Sequence, residues 1–325
     1  MLVLSAQDVA ASLPMKGAIE GMHRAYAACT NGDAEMPQRT VISLGAASNL
    51  AIFMPAHIRG SSEVSLKSVT FSPNNEQLGL PVVQAMVQVF DVSTGTPVAL
   101  IDGGELTAIR TAAGGGASME LLAREESRSL AMLGSGTQAR AGIEAACCAR
   151  DIEVVRLFSP TKGNAQRLAD QLQQNNWCPE IHVVDNPHQA VLDADVIWTA
   201  TTSVSPTFSG ESVKPGAHIV GVGSFQPSMI EIDPVLLGSA SIFVDETEAC
   251  WAEAGEIIAA RAEGRIQSAQ VRELGEVVLG RHAGRSSQTE LTVFKSVGVA
   301  SQDAVASSLV LEAATRLHLG TRVNI

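Results

Sequence analysis

The chain has 325 residues, enough for two domains with ample buried core, and is 46% hydrophobic and 17% charged, a balance that suits an α/β enzyme. A net charge of −12 with no basic run argues against nucleic acid and anionic membrane as partners, and no segment reaches the roughly 18 consecutive apolar residues of a membrane span. Five cysteines (Cys29, Cys147, Cys148, Cys178 and Cys250) show no CxxC pair and no metal-ligand spacing, and Asp8 and Ser12 interrupt any secretory signal pattern, so the expectation is a cytoplasmic protein with no metal centre.

Residues 6–32 read as one amphipathic helix ending near Asn31-Gly32, with Ile19, Met22, His23 and Tyr26 on one stripe. Met36 to Thr40 opens an extended segment. Residues 50–55 form an uncharged apolar strand, and Val64 to Val69 another, interrupted by Lys67. Residues 82–90 alternate, with Val83, Ala85, Val87 and Val89 facing one way. Asp91 to Pro97 is a turn, and Val98 to Ile101 returns as the hairpin partner. The first hundred or so residues are thus an antiparallel sheet with a helix. Residues 104–126 then read as helix, weakened at Gly114-Gly115-Gly116.

From Leu130 the pattern changes to alternating strand and helix. Strands are expected at 130–133, 153–158, 181–184, 195–200, 218–222 and 241–244, with helices at 137–149, 162–175, 187–192 and 246–263. That order predicts a parallel, doubly wound sheet, and the tail, 300–319, reads as one more amphipathic helix. Between the first strand and helix stands Gly134-Ser135-Gly136-Thr137-Gln138-Ala139, a Gly-x-Gly-x-x-Ala turn. Such a turn brings bare backbone and a helix N-terminus to a pyrophosphate. NAD sites usually place an acid at the end of the second strand, about 20 residues on. Here that strand ends Phe158-Ser159-Pro160-Thr161-Lys162, without a carboxylate, which points to NADPH preferred with NADH also accepted. Ser159-Pro160-Thr161 is equally readable as a helix cap.

Three cations, Arg39, Lys67 and Arg110, lie in or beside apolar sheet and helix. Lys67 is the most telling, because burying it unpaired is costly and an anionic ligand or partner is implied. A guanidinium with an ammonium suits a carboxylate. Glu231, following Pro227 in a loop, reads either as a residue orienting a site or as a solvated or capping one.

Four stretches together resemble the ornithine cyclodeaminase/mu-crystallin family: Pro37-Gln38-Arg39; Leu66-Lys67-Ser68-Val69; Leu106-Thr-Ala-Ile-Arg110-Thr111-Ala-Ala with Gly134-Ser-Gly136-Thr-Gln138-Ala; and Thr292-Val-Phe-Lys295-Ser-Val-Gly298. The pattern is most similar to the family's Δ1-pyrroline-2-carboxylate (ketimine) reductases. The resemblance implies a substrate-binding and dimerisation domain over 1–118 with 299–325, and a Rossmann dinucleotide-binding domain over 119–298. It implies that Arg39, Lys67 and Arg110 hold the carboxylate of an imino or amino acid beside a nicotinamide, with Lys67 and Arg110 catalytic. The dinucleotide is then expected on Thr111, Gly134, Ser135, Gly136, Thr137, Gln138, Ala139, Ser159, Thr161, Lys162, Ala200, Thr201, Gly221, Val222, Gly223, Lys295 and Gly298. A homodimer is expected through the antiparallel sheet. The cyclodeaminases of this family carry Gly-x-Asp-x-Pro, whose Asp assists deamination; this chain has Gly223-Ser224-Phe225-Gln226-Pro227. Phe225 accepts no proton and binds no ammonium, and its side chain suits packing against an apolar ring. The expected activity is therefore reduction of a cyclic imino acid, five- or six-membered, to L-proline or L-pipecolate. The rivals are cyclodeaminase or alanine-dehydrogenase-like activity, or NADPH binding with little turnover.

Overall fold

The computed structural model describes residues 1–45, 49–175 and 177–324. The chain divides into two compact units, Met1–Arg110 with Val299–Ile325, and Thr111–Gly298.

The first unit opens with β1 (Leu2–Leu4), a strand the periodicity did not predict, then two helices, α1 (Ala6–Ser12) and α2 (Met15–Asn31), where one was expected. Pro14 is the reason. It lacks an N–H and disfavours helical backbone at the residue before it, and Leu13 sits at φ −128°, ψ 73°. α2 ends where the sequence says, on Gly32 in the left-handed region, with Ile19, Met22 and Tyr26 buried and His23 half-buried.

The sheet follows: β2 (Ala34–Glu35), β3 (Thr40–Ser43), β4 (Leu50–Ile58), β5 (Glu63–Phe71), β6 (Val83–Asp91) and β7 (Pro97–Asp102). β4 runs past its expected end, through Pro55. That proline stands in register with Leu66 of β5, and on the other edge of β4 it falls between the stretch paired with β3 (50–53) and the stretch paired with β2 (57–58). β5, β6 and β7 pair antiparallel in turn. Asp91 makes the turn, its Oδ1 accepting from the backbone of Ser93 and Thr94. α3 (Gly103–Leu122) ends four residues before the expected 126. Arg150 takes the carbonyls of Glu120 and Ala123, and Arg285 that of Leu122. The glycine run inside α3 is a packing device. A Cβ on Gly115 would stand 2.3 Å from the buried indole of Trp198, and one on Gly142 would stand 2.8 Å from it.

The second unit is β8 (Ser129–Leu133), α4 (Thr137–Ala149), β9 (Val154–Phe158), α5 (Lys162–Leu172), β10 (Glu180–Val183), α6 (Pro187–Val191), β11 (Val196–Thr199), β12 (His218–Gly221), α7 (Pro234–Leu237), β13 (Ser241–Val244), α8 (Thr247–Glu253), α9 (Gly255–Ala262), β14 (Val271–Glu273), α10 (Leu274–Val278) and β15 (Thr292–Lys295). Its eight strands are all parallel, in the order β10-β9-β8-β11-β12-β15-β13-β14. This is the doubly wound sheet expected, with two strands more than predicted. β15 arrives last and inserts between β12 and β13. The helix expected over 246–263 is broken at Ala254, and α9 then starts on Gly255, where a Cβ would lie 2.1 Å from the carbonyl oxygen of Met229.

The chain then returns to the first unit as α11 (Ala300–Leu317) and β16 (Thr321–Arg322). The first sheet reads β16-β1-β7-β6-β5-β4-β2, with β3 also on β4. It is antiparallel except where β1 pairs parallel to β7. α11 packs on α2 closely enough that a Cβ on Gly21 would meet Leu309 at 2.7 Å.

Two predictions follow from packing and charge in the second unit. Gly115→Ala forces a methyl into the indole of Trp198 and should lower stability by about 1–3 kcal/mol in denaturant titration, the usual cost of overpacking. Asp195 accepts from Arg124 and Lys214, each at 2.7 Å, and from the N–H groups of Arg128 and Ser129. Burial alone would raise its pKa, but Lys214 and the N–H donors outweigh burial and bring it to about 2, from 3.8. Its contribution to stability is therefore complete above pH 3.8 and is lost as pH falls toward 2. Asp195→Asn should flatten that part of the acid unfolding curve.

Candidate active site

In the first unit, β5 presents Lys67 on its buried face, with Met54 of β4 and Val87 of β6 opposite it in register. The side chain is 2% exposed. Its Nζ lies 2.7 Å from Oδ2 of Asp303, in the first turn of α11, and Asp303 is wholly buried. The other carboxylate oxygen, Oδ1, accepts from Nε of Arg110 at 3.0 Å. Arg110 also donates through NH1 to Oε1 of Gln302 at 2.8 Å, and Gln302 Nε2 donates to the Tyr26 hydroxyl at 2.8 Å. The start of a long helix favours an anion such as Asp303. Burial, then the nearby Arg110 charge, push the Lys67 pKa down; Asp303 opposes them, Arg39 adds to them, and the result is about 8.

The structure thus brings Lys67 and Arg110 together on one buried carboxylate, with the half-buried Arg39 near enough for its charge to act on Lys67. Phe225 belongs to the other unit, in the loop after β12. Asp303 and Gln302 were not singled out in the sequence, and Tyr26 was read there only as part of the apolar stripe of residues 6–32. Asp303 reads there as an ordinary acidic residue in a helix first turn, and the one signal for it was the anionic partner that Lys67 requires.

In the second unit, the strand order reverses between β8 and β11, the position where doubly wound sheets bind ligands at their strand C-termini. β8 is followed by Gly134, whose φ is +125° and whose added Cβ would lie 2.4 Å from the Ala200 carbonyl oxygen after β11. Gly136 is different. Its φ is −87°, which any residue adopts, and a Cβ there meets nothing within 4 Å. Gln138, in the first turn of α4, has a buried Oε1 with no hydrogen-bond partner among the described residues. Open space before a helix N-terminus fits a dinucleotide phosphate, and the unanswered amide oxygen fits a hydroxyl or amide donor of the same ligand. Thr137 and Ala139 share that turn, and Ser135 donates to Ser159 at the end of β9 (2.9 Å). Thr161 occupies the N-cap position of α5 without a side-chain capping bond, and Lys162 pairs with Asp185 at 2.5 Å. Thr111 is a buried residue of α3.

Ala200 and Thr201 follow β11, while Gly221, Val222 and Gly223 end and follow β12. Glu231 ties these two loops together. Its Oε1 accepts from the backbone N–H and the hydroxyl of Thr201, and its Oε2 from the N–H groups of Gly223 and Ser224. Of the two roles open for Glu231 in the sequence, orienting the site is the one its full burial supports. Gly223 is required there, since a Cβ would lie 2.2 Å from the Thr201 carbonyl oxygen. Lys295, expected at the dinucleotide, is fully buried, and its ammonium donates to the Ser224 carbonyl (2.6 Å) and hydroxyl (2.7 Å), with Glu256 at 3.5 Å. It holds the loop and has no exposed face for a ligand. Burial raises the Glu256 pKa, and Lys295 opposes that. Gly298, at φ +80°, gives its N–H to Asp245.

Among the described residues no helix is long and apolar enough to cross a membrane. The ornithine cyclodeaminase/mu-crystallin family model matches residues 1–317. A Δ1-pyrroline-2-carboxylate reductase of Bacillus cereus is 36% identical over 88% of each chain. The ketimine reductase mu-crystallin of mouse is 35% identical over 87% of this chain and 86% of its own. The structure of Thermococcus litoralis Δ1-pyrroline-2-carboxylate reductase in complex with NADH and L-proline superposes with a TM-score of 0.96 at 34% identity, over 99% of this chain and 100% of that one.

The two glycines of the turn should separate under mutation. Gly136→Val, at a φ of −87° and in open space, should leave the melting temperature unchanged and weaken NADH binding at least roughly tenfold, read by fluorescence titration. Gly134→Val should lower the melting temperature as well, because its Cβ meets Ala200.

Proposed function

The chain belongs to the ornithine cyclodeaminase/mu-crystallin family, and from that premise we propose that it reduces a cyclic imino acid, Δ1-pyrroline-2-carboxylate, to L-proline with a nicotinamide cofactor. The observation that carries this is the buried pair Lys67 and Arg110, two cations sharing the single carboxylate of Asp303, with the half-buried Arg39 near enough to act on Lys67. A substrate carboxylate suits that pair. The planar guanidinium of Arg110 and the ammonium of Lys67 hold it and so orient the ring carbon that bears it. A protonated C=N bond is already a strong hydride acceptor, so the protein's task is placement and charge compensation. A reduced nicotinamide, when bound, supplies the hydride. The glycine turn and the first turn of α4 hold its pyrophosphate, and Glu231 keeps the loops after β11 and β12 in one shape. Phe225 in place of the cyclodeaminase Asp supports a reductase reading, since nothing there accepts a proton from a second amine. The six-membered imine, Δ1-piperideine-2-carboxylate, fits the same cations and is the natural second substrate to compare.

The preference for NADPH rests on the end of β9, where Ser159, Thr161 and Lys162 stand without a carboxylate. Asp185 already shares the Lys162 ammonium, so a 2′-phosphate competes with it. A homodimer is supported by the apolar residues that the first sheet and its neighbouring loops leave exposed, among them Val41, Ile42, Leu78, Leu80 and Met86. A cytoplasmic setting is supported by the odd cysteine count without CxxC spacing.

Oxidation of NADPH should be rapid with Δ1-pyrroline-2-carboxylate, and Lys67→Met should lower kcat/KM at least ~100-fold. Ammonia release from ornithine without imine turnover would overturn the reductase reading, and NADPH binding without turnover would make the chain a binding protein. Asp185→Asn, by releasing Lys162, should raise kcat/KM for NADPH relative to NADH; an unchanged ratio would remove Lys162 from cofactor selection.

A further inference from the structure

A carboxylate site needs its lysine charged, yet nearly everything around Lys67 works against that charge. Its Nζ is buried, its partners in register across β4 and β6 are the apolar Met54 and Val87, and Arg110 of α3 and Arg39 before β3 repel it. Gln302 and Tyr26, next in line through Arg110, are uncharged at neutral pH. Asp303 of α11 is the single negative charge facing this group among the described residues, and it is divided between the two cations: Oδ2 to Lys67 at 2.7 Å and Oδ1 to Arg110 at 3.0 Å.

We propose that Asp303 is the positioning residue of this site: it keeps Lys67 in the ammonium form and fixes the direction of both cations before the substrate carboxylate arrives. Asp303 is itself completely buried, and its two oxygens are engaged by the two cations, so it acts through them. Its bond to Nε, with Gln302 on NH1, leaves NH2 of Arg110 outside these contacts, and Lys67 keeps two further N–H donors. The proposal rests on reading the cluster as a carboxylate site, and the test below separates the two.

The Lys67 pKa is already about 8 with Asp303 present, and burial, Arg110 and Arg39 all press it lower. The folded value lies below the ordinary one, so the ammonium form, and carboxylate binding with it, is lost as pH rises through about 8. Asp303→Asn keeps the shape and removes the charge. It should move the alkaline limb of kcat/KM at least about one pH unit down and raise KM roughly tenfold at pH 7.5, with kcat changed far less. Asp303→Glu retains the charge one methylene away. It should restore the alkaline limb to its wild-type position while kcat/KM stays reduced. NADH affinity and melting temperature report whether each variant is folded. An alkaline limb in Asp303→Asn that coincides with wild type overturns the proposal, as does one in Asp303→Glu that shifts downward as the Asn variant's would. Should the wild-type protein turn over no imine, the function proposed above falls. The Nζ resonance of Lys67 in 15N-lysine protein, assigned against Lys67→Met, then decides the point, titrating near pH 8 in wild type and lower in Asp303→Asn. An unshifted resonance overturns the proposal.

Discussion

A buried ammonium must have an anion within reach, and much of the first unit is arranged around meeting that requirement for Lys67. Removing a lysine charge from water costs several kcal/mol that only close, well-directed partners offset. Asp303 is that partner, and it comes from the far end of the chain, 193 residues beyond Arg110. For the pair to form, α11 has to return to the unit built by the first hundred residues, where it packs on α2. An interrupted domain is thus linked to an electrostatic demand as well as to apolar packing. The same demand explains why the site keeps its polarity: two buried cations, Lys67 and Arg110, share one carboxylate.

The second unit uses the same physics for a different end. Glu231 is fully buried and takes four donors from two loops, and Lys295 is fully buried and takes the Ser224 carbonyl and hydroxyl with Glu256 behind them. Neither charge has a face to offer a ligand. Both hold the backbone after β11 and β12 in a fixed shape at the strand C-termini, where a doubly wound sheet binds its ligand. Glycines do the complementary work of close approach. Gly115 and Gly142 admit the Trp198 indole between helices and sheet, and Gly223 lets its loop pass the backbone of Thr201. Gly136, by contrast, faces open space, so no neighbouring atom of the protein requires a glycine there.

What the amino-acid order determined was whatever depends on near neighbours. The alternation of strand and helix after Leu130, the Gly134–Ala139 turn, the clean alternation of residues 82–90 and the end of α2 at Gly32 are all local patterns, and each is present in the folded chain. The sequence also required an anion near Lys67, because an uncharged strand cannot bury an ammonium alone. Which anion was left to the tertiary structure, since Asp303 looks like any acid in a helix first turn until the fold places it against two cations. Residues 6–32 kept one helical stripe, but Pro14 split it, a backbone effect that periodicity does not weigh. β15 was not read as a strand because its place between β12 and β13 is made by partners some 50 to 75 residues earlier. Lys295 shows the same division: its motif marks it out, but only the closed loop of Ser224 and Glu256 around its ammonium decides that it supports the site from within.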